Sequence, residues 1–161
     1  MALYVCSKLI LGPVLAADIG SITELKGVSR VVRDKAYDST LNFALQSMDV
    51  LETANGRMGV TFADESVIRL TEQSKITIDN FVYDPDPDKS SLALNFVKGT
   101  GRFITSKTKR IKKENIKIRT NSATIGIRGT DFTITVSETG ALVILLPDEF
   151  GNSSGEIVVT T

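Results

Sequence analysis

The chain contains no histidine, no tryptophan and a single cysteine, Cys6. Without histidine, the side chain that most often serves as a general base near neutral pH is missing. One cysteine cannot close an intrachain disulfide, and a chain of 161 residues needs no such staple, so the redox compartment stays open. An excess of one charge is also missing. The 19 basic and 19 acidic residues cancel, and no net field draws the chain to nucleic acid or membrane. No apolar run approaches the roughly 18 residues of a spanning helix. Nor is there a G-x-S-x-G elbow, a metal-ligand cluster or a glycine-rich phosphate loop ahead of a helix. The adjacent carboxylates Asp64 and Glu65 would point to opposite faces of a strand. These absences predict a protein that is not an enzyme and needs neither cofactor nor metal.

What is present is strand texture. With 42% hydrophobic residues the chain can bury one real core, and seven Phe and three Tyr supply its aromatics. Alternating or β-branched segments recur at 19–25, 28–33, 51–53, 58–62, 67–70, 75–79, 91–97, 101–105, 116–119, 125–128, 132–136, 141–146 and 157–160. Asn55-Gly56 and Asp64-Glu65 read as turns that divide three of them into a meander. Lys98-Gly99-Thr100-Gly101 reads as the connection within the next pair. Residues 39–48 fit one helical turn or an irregular strand, and 106–116 a short exposed helix without an apolar stripe. About a dozen short strands with turns every ~8–12 residues predict an all-β fold with little helix, a sandwich or a short solenoid-like domain. The alternation places Ile22, Val60, Phe62, Ile76, Ile78, Leu94, Phe96, Ile125, Ile127, Phe132 and Ile134 in the core.

Residues 1–18 stand apart from the β-domain expected over 19–161. Lys8, an apolar stretch over 9–17 and then Asp18 follow signal-peptide order, although Pro13 interrupts the stretch. The segment reads either as a weak signal peptide or as an apolar arm that packs on the domain or on a neighbour. Val158-Val159-Thr160-Thr161 keeps strand texture without a polar tail, the pattern of an edge that pairs with something else or of a domain that continues.

The most specific pattern lies in residues 122–132. Ala123, Ile125 and Ile127 alternate with Thr124, Gly126 and Arg128, and strand character resumes at Phe132. That reads as two short strands joined at a tight corner. A guanidinium there can hydrogen-bond corner carbonyls or pair with Asp131, Gly129 frees the backbone, and Thr130 can bond locally. Ile125, Gly126, Ile127, Arg128, Gly129, Thr130, Asp131 and Phe132 therefore read as a structural corner, with a partner-docking Arg128 as the other reading.

This run resembles the A-T-x-G-x-R-G-T-x-F signature of the FecR protein domain family. The resemblance spans about residues 19–145. The stretch from Gly20 to Gly27 is similar to the family's opening G-x-V-x-x-x-x-G strand. Asp49, Thr53, Gly59-Val60-Thr61-Phe62 and Asp64-Glu65-Ser66 follow in the order of a later element, and 92–103 resembles a strand-glycine-strand element. Met48 and Glu65 stand where the family often has glycine, which leaves the geometry of those two turns open. The resemblance implies an extracytoplasmic β-domain used for binding or scaffolding. Members include periplasmic halves of transmembrane anti-sigma regulators, whose cytoplasmic helices and membrane span this chain is expected not to carry. They also include stand-alone exported proteins and virion components of marine phages. A periplasmic or secreted protein-interaction module is implied if residues 1–17 are removed. A structural subunit of a phage virion or similar assembly is the alternative if they are kept.

Charge is locally uneven. Arg102, Lys107, Lys109, Arg110, Lys112, Lys113, Lys117 and Arg119 face only Glu114 within 102–119. Such a patch attracts an acidic protein surface, phosphates or anionic lipid, or is simply a solvated loop. Phe103 is its lone aromatic, which disfavours single-stranded nucleic acid as partner. Lys107, Lys109, Arg110, Lys112 and Lys113 are the candidate contacts to an acidic protein partner. Asp84-Pro85-Asp86-Pro87-Asp88 resembles the opening of a calcium loop, but Lys89 and Asn95 occupy the places where such a loop needs Gly and Glu. It reads as a rigid acidic tip, with a weak cation site at Asp84, Asp86 and Asp88 as the alternative.

Overall fold

The computed structural model describes residues 18–161 except Lys109, Arg128, Gly129, Thr130 and Ser154. Strand β1 (Gly20–Lys26) and strand β2 (Ser29–Val32) are two limbs of one bent strand, followed by the short pieces β3 (Ala36–Asp38) and β4 (Ala44–Leu45). Strands β5 (Val50–Thr53) and β6 (Arg57–Phe62) make a second bent strand, and β7 (Val67–Leu70) and β8 (Lys75–Val82) a third. The fourth is the unbroken β9 (Ser91–Ile104). After it come β10 (Ile116–Arg119), β11 (Thr124–Ile127), β12 (Asp131–Ser137), β13 (Gly140–Leu145) and β14 (Ile157–Thr160).

These strands form one curled sheet with two wings. Wing one runs β4-β1-β6-β7-β9-β12-β13, and wing two runs β3-β2-β5-β8-β9-β10-β11-β14. Among the described residues every strand pairing is antiparallel except that of β9 with β10. Strand β9 belongs to both wings, pairing with β8 and β10 through its first part and with β7 and β12 through its last.

The corners lie side by side. Ala54 N–H donates to Val28 O at 3.0 Å, and Gln73 N–H donates to Ala54 O at 3.1 Å. Ser74 Oγ donates to Thr100 O at 3.1 Å and accepts from Thr100 N–H at 3.0 Å. A line of bends thus folds wing one onto wing two, and the inward side chains of both meet in one core. Phe62 of wing one stacks on Phe81 of wing two with ring centres 5.8 Å apart. All eleven residues expected inside are buried there, none above 2% exposure.

The all-β expectation holds, but several connections differ from it. Lys98-Gly99-Thr100-Gly101 is no turn; Gly99, at φ 97°, bends a continuous strand of 14 residues. Asn55-Gly56 closes no hairpin either, because β5 and β6 pair with different neighbours in different wings. Residues 39–48 hold turns and the two-residue β4 in place of a helical turn. Segment 106–116 is mostly irregular, with a one-turn 3₁₀ helix at Lys113–Asn115, and it buries Ile111 to 4% exposure. The expectation of an exposed helix with nothing to bury is therefore wrong, because two isoleucines, Ile111 and Ile116, five residues apart on an irregular path make no stripe.

Met48 and Glu65 adopt φ 72° and 71°, the left-handed conformation that glycine accepts at least cost. The turns thus keep a geometry that favours glycine while carrying side chains. Met48 is 66% exposed, so little packing is lost on its removal. Met48→Gly is expected to raise stability by about 0.5–1 kcal/mol in chemical unfolding, because relief of backbone strain exceeds the added chain entropy.

Candidate interaction surface

The basic segment leaves β9 and returns beside it as β10, a parallel crossover. Ile111 and Ile116 anchor it in the core, at 4% and 2% exposure. Arg110 Nη2 pairs with Glu65 Oε1 at 3.0 Å, and its Nη1 donates to the Tyr83 hydroxyl at 3.4 Å. Lys112 forms an ion pair with Asp88, which holds its ammonium above the ordinary lysine range. Asn115 Nδ2 donates to the Asp88 and Ser90 carbonyls at 3.2 and 3.0 Å. Arg102 pairs with Asp131, and Arg119 with Asp79 at 3.6 Å. Much of the local excess is therefore neutralised by acids from elsewhere in the chain. Among the described residues, Lys107, Lys113 and Lys117 have no acidic partner. Lys109 lies outside the described residues.

The acidic tip is turned on itself. Asp84 Oδ1 accepts Asp86 N–H at 2.8 Å and Asp86 Oδ1 accepts Asp88 N–H at 3.1 Å. Its third carboxylate faces Lys112, so the tip braces the basic segment.

Of the corner motif, Ile125, Ile127 and Phe132 are buried and Gly126 is half-buried. Strand β11 lies in wing two and β12 in wing one. Arg128, Gly129 and Thr130, between them, lie outside the described residues. The Asp131 carboxylate accepts Arg102 Nε at 2.9 Å and a second bond from Arg102 Nη2.

Two arrangements escape a reading of the sequence because their members are far apart in it. The first is a buried polar corner where the β6–β7 turn meets the basic segment. Asp64, 1% exposed, accepts Ser66 N–H at 3.1 Å and its hydroxyl at 2.5 Å, and Ser66 Oγ accepts Ser106 N–H at 3.3 Å. These groups face a cleft of about 690 Å³ shared with Ile111, Lys113 and Ile116. The second is the charge pattern of the outer faces. On wing one, Glu24 reaches across Gly59 to Arg69, with bonds of 2.9 and 2.6 Å. A Cβ on Gly59 would sit 2.7 Å from that of Glu24. On wing two, Glu52 takes Arg30 at 2.6 Å and Lys75 at 2.9 Å.

These pairs set a pH profile. The Arg69 hydrogen bond holds the Glu24 carboxyl below its ordinary 4.5, and Lys75, aided by Arg30 and opposed by slight burial, does the same for Glu52. A carboxyl lowered by folding stabilises the fold above 4.5 and loses that contribution as pH falls through the lowered value. Stability should therefore be flat between about pH 5 and 8, where no histidine titrates, and should decline below about pH 4.5. Thermal melting across pH 3–8, on an interval set by these reference values, would contradict this with a step between 5 and 8.

Among the described residues no helix is long and apolar enough to cross a membrane, and no cluster of carboxylates and thiols has metal-binding spacing. No curated protein and no solved structure matches the chain. The family model described as FecR protein matches residues 49–147, from the buried Asp49 to just past the end of β13. Domains of that family act in protein–protein signalling in the periplasm and are not enzymes. The match covers well over half of the sequence, takes in both wings and includes the 122–132 motif, and the chain belongs to the FecR protein family.

Proposed function

We propose that this chain is a non-catalytic β-scaffold that binds an acidic protein partner in the periplasm or outside the cell through segment 107–117. One observation carries the reading. The segment is held in place by Ile111, Ile116, Arg110 and Lys112, yet Lys107, Lys113 and Lys117 keep no acidic partner among the described residues. A fixed backbone presenting unpaired cations lowers the ordering cost of binding.

The test is co-purification of the tagged protein with its partner across a salt series. Association should fall steeply as ionic strength rises, because exposed charges are screened within about 8 Å at physiological salt. Serine at 107, 113 and 117 together should abolish association without moving the melting temperature. Salt-independent association, or association that survives the three substitutions, would sink the proposal. Replacing Arg110 and Lys112 is a different experiment, because both hold the segment to its neighbours.

A second reading, a structural subunit that self-assembles, is favoured by β13. Residues 140–146 carry no charge, and Leu142 and Ile144 are 60% and 50% exposed on a strand that, among the described residues, is paired on one side only. The edge strands β3 and β4 are by contrast three and two residues long, and Asp34, Lys35 and Asp38 guard β3. A second copy pairing antiparallel about Val143 would set Leu142 against Ile144. Sedimentation should then show mass rising with concentration, and Ile144→Lys should abolish the rise. A native mass lacking 16 or 17 N-terminal residues would support export, and retention of them assembly.

A further inference from the structure

Strand β13 stands at the margin of wing one but is composed like a strand from the middle of a sheet. Its neighbours β10, β11 and β12 alternate apolar residues with polar ones or glycine, as strands with one wet face do. Residues 141–146 are apolar without interruption, the pattern of a strand covered on both faces. Leu142 and Ile144 of this run are nevertheless exposed, and among the described residues β13 pairs with β12 alone. By alternation from the inward Leu146 N–H, the amides of Ala141, Val143 and Leu145 face the open side.

The strand count gives the width of this open edge. Beyond β9, wing one adds β12 and β13, whereas wing two adds β10, β11 and β14. Wing two is thus one strand wider here, and among the described residues nothing of wing one covers its last strand. Val159 lies directly opposite the fully buried Ile125 and so faces the core side, yet it is 53% exposed. Ile157, opposite the buried Ile127, is only half-buried. The open place is therefore one strand wide, with the β13 amides as its wall and the core face of β14 as its floor. Wall and floor carry no charge, but exposed acids flank both ends of β13, Glu138 at one and Asp148 and Glu149 at the other.

We propose that an extended, uncharged segment of a partner protein, flanked by basic residues, adds to β13 as a further strand of wing one and lies across the core face of β14. Main-chain bonds to the three open amides would supply affinity, and contact with Ile157 and Val159 would supply apolar burial. A second copy seated through its own β13 brings its own projecting β14 along, whereas a lone strand fills the place without one. The edge is the one on which the second reading of function rests, but the occupant differs, and segment 107–117 is not involved. Failure of this proposal leaves both of those readings standing.

The experiment is a titration of the full chain with the acetylated peptide Lys-Lys-Val-Thr-Val-Ile-Val-Thr-Lys-Lys, whose uncharged centre matches the six residues of β13. Amide shifts and hydrogen exchange are the readouts. Saturable shifts along β13 and at Val159 are expected, and exchange at Ala141, Val143 and Leu145 should slow about tenfold or more at saturation. Val159→Asp should weaken binding about tenfold, because the added strand would bury a carboxylate, and should melt close to the parent because the position is half exposed. Val82→Asp, also at an exposed valine but on β8, should bind as the parent does. The same peptide with glutamate in place of lysine should bind more weakly, by a margin that closes as salt is added. Equal affinity for the two peptides would overturn the basic flanks. No saturation, or saturation that leaves the three amides exchanging as before, overturns the proposal. So does protection without peptide: if it grows with protein concentration the edge belongs to a second copy, and if it does not the chain's own residues fill it.

Discussion

Gly99→Val should lower the urea midpoint by about 1–2 M, the largest effect expected of any single substitution in this protein. Two costs combine. The backbone at Gly99 has φ 97°, outside the range of a β-branched residue. A Cβ there would also lie 2.3 Å from Ser74 Oγ and 2.4 Å from Ser74 Cα. The second of those is backbone, and Ser74 cannot retreat without breaking its two bonds to Thr100. Backbone strain and overpacking together amount to about 3 kcal/mol or more, a large part of a typical domain's stability. Gly151→Ala separates the two costs. Its φ is 81°, but nothing lies within 4 Å of the added methyl, so it should lose only about 1 kcal/mol. Equal midpoints for the two variants would show that the bend of β9 is not held by Ser74.

Arg33→Ala should cost about 3 kcal/mol, for a reason unrelated to packing. Asp49 is fully buried and accepts Arg33 Nε at 2.7 Å, Arg33 Nη2 at 2.8 Å and Gln46 N–H at 2.9 Å. Removing the arginine leaves a buried carboxylate with one donor. The figure sits at the low end for a broken buried pair because Arg33 keeps 30% exposure and is already partly screened. Asp49→Asn keeps an acceptor for Gln46 and should cost less, about 1–2 kcal/mol. The double variant Arg33→Met, Asp49→Leu should be more stable than Arg33→Ala alone, since neither charge is left stranded. Chemical unfolding of the four proteins decides it, and a double variant no more stable than Arg33→Ala would remove the pair from the account.

Strand phase was legible because it is local. Ile76 and Ile78, or Ile125 and Ile127, need only their own spacing to be placed inside. The bends were not legible for the opposite reason. Lys98-Gly99-Thr100-Gly101 has the composition of a turn, and what makes it a bend is Ser74, far back in the chain. The basic segment failed in the same way. Its acids, Glu65, Asp79, Asp88 and Asp131, all lie outside the window in which its lysines and arginines were counted. Asp64 and Ser66 stand in the family's order, but their burial beneath Ser106 depends on a crossover that no spacing announces. Of the candidate contacts, Arg110 and Lys112 turned out braced, and Lys107 and Lys113 turned out free of acidic partners among the described residues.

The single passage of β9 through both wings has a consequence for how the molecule opens. Its amides are bonded to β8 and β10 at one end and to β7 and β12 at the other, so neither wing can detach while β9 stays in place. Local opening of one wing would expose the core of the other. Hydrogen exchange along β9 should therefore require unfolding of the whole protein, and its amides should share one opening free energy on both sides of Gly99. On β13, Leu146 N–H points inward to Asp131 O at 2.9 Å, so by alternation the amides of Ala141, Val143 and Leu145 face the unpaired side. Those three should exchange early, with a cooperative unit on one side of β12 and a fraying margin on the other.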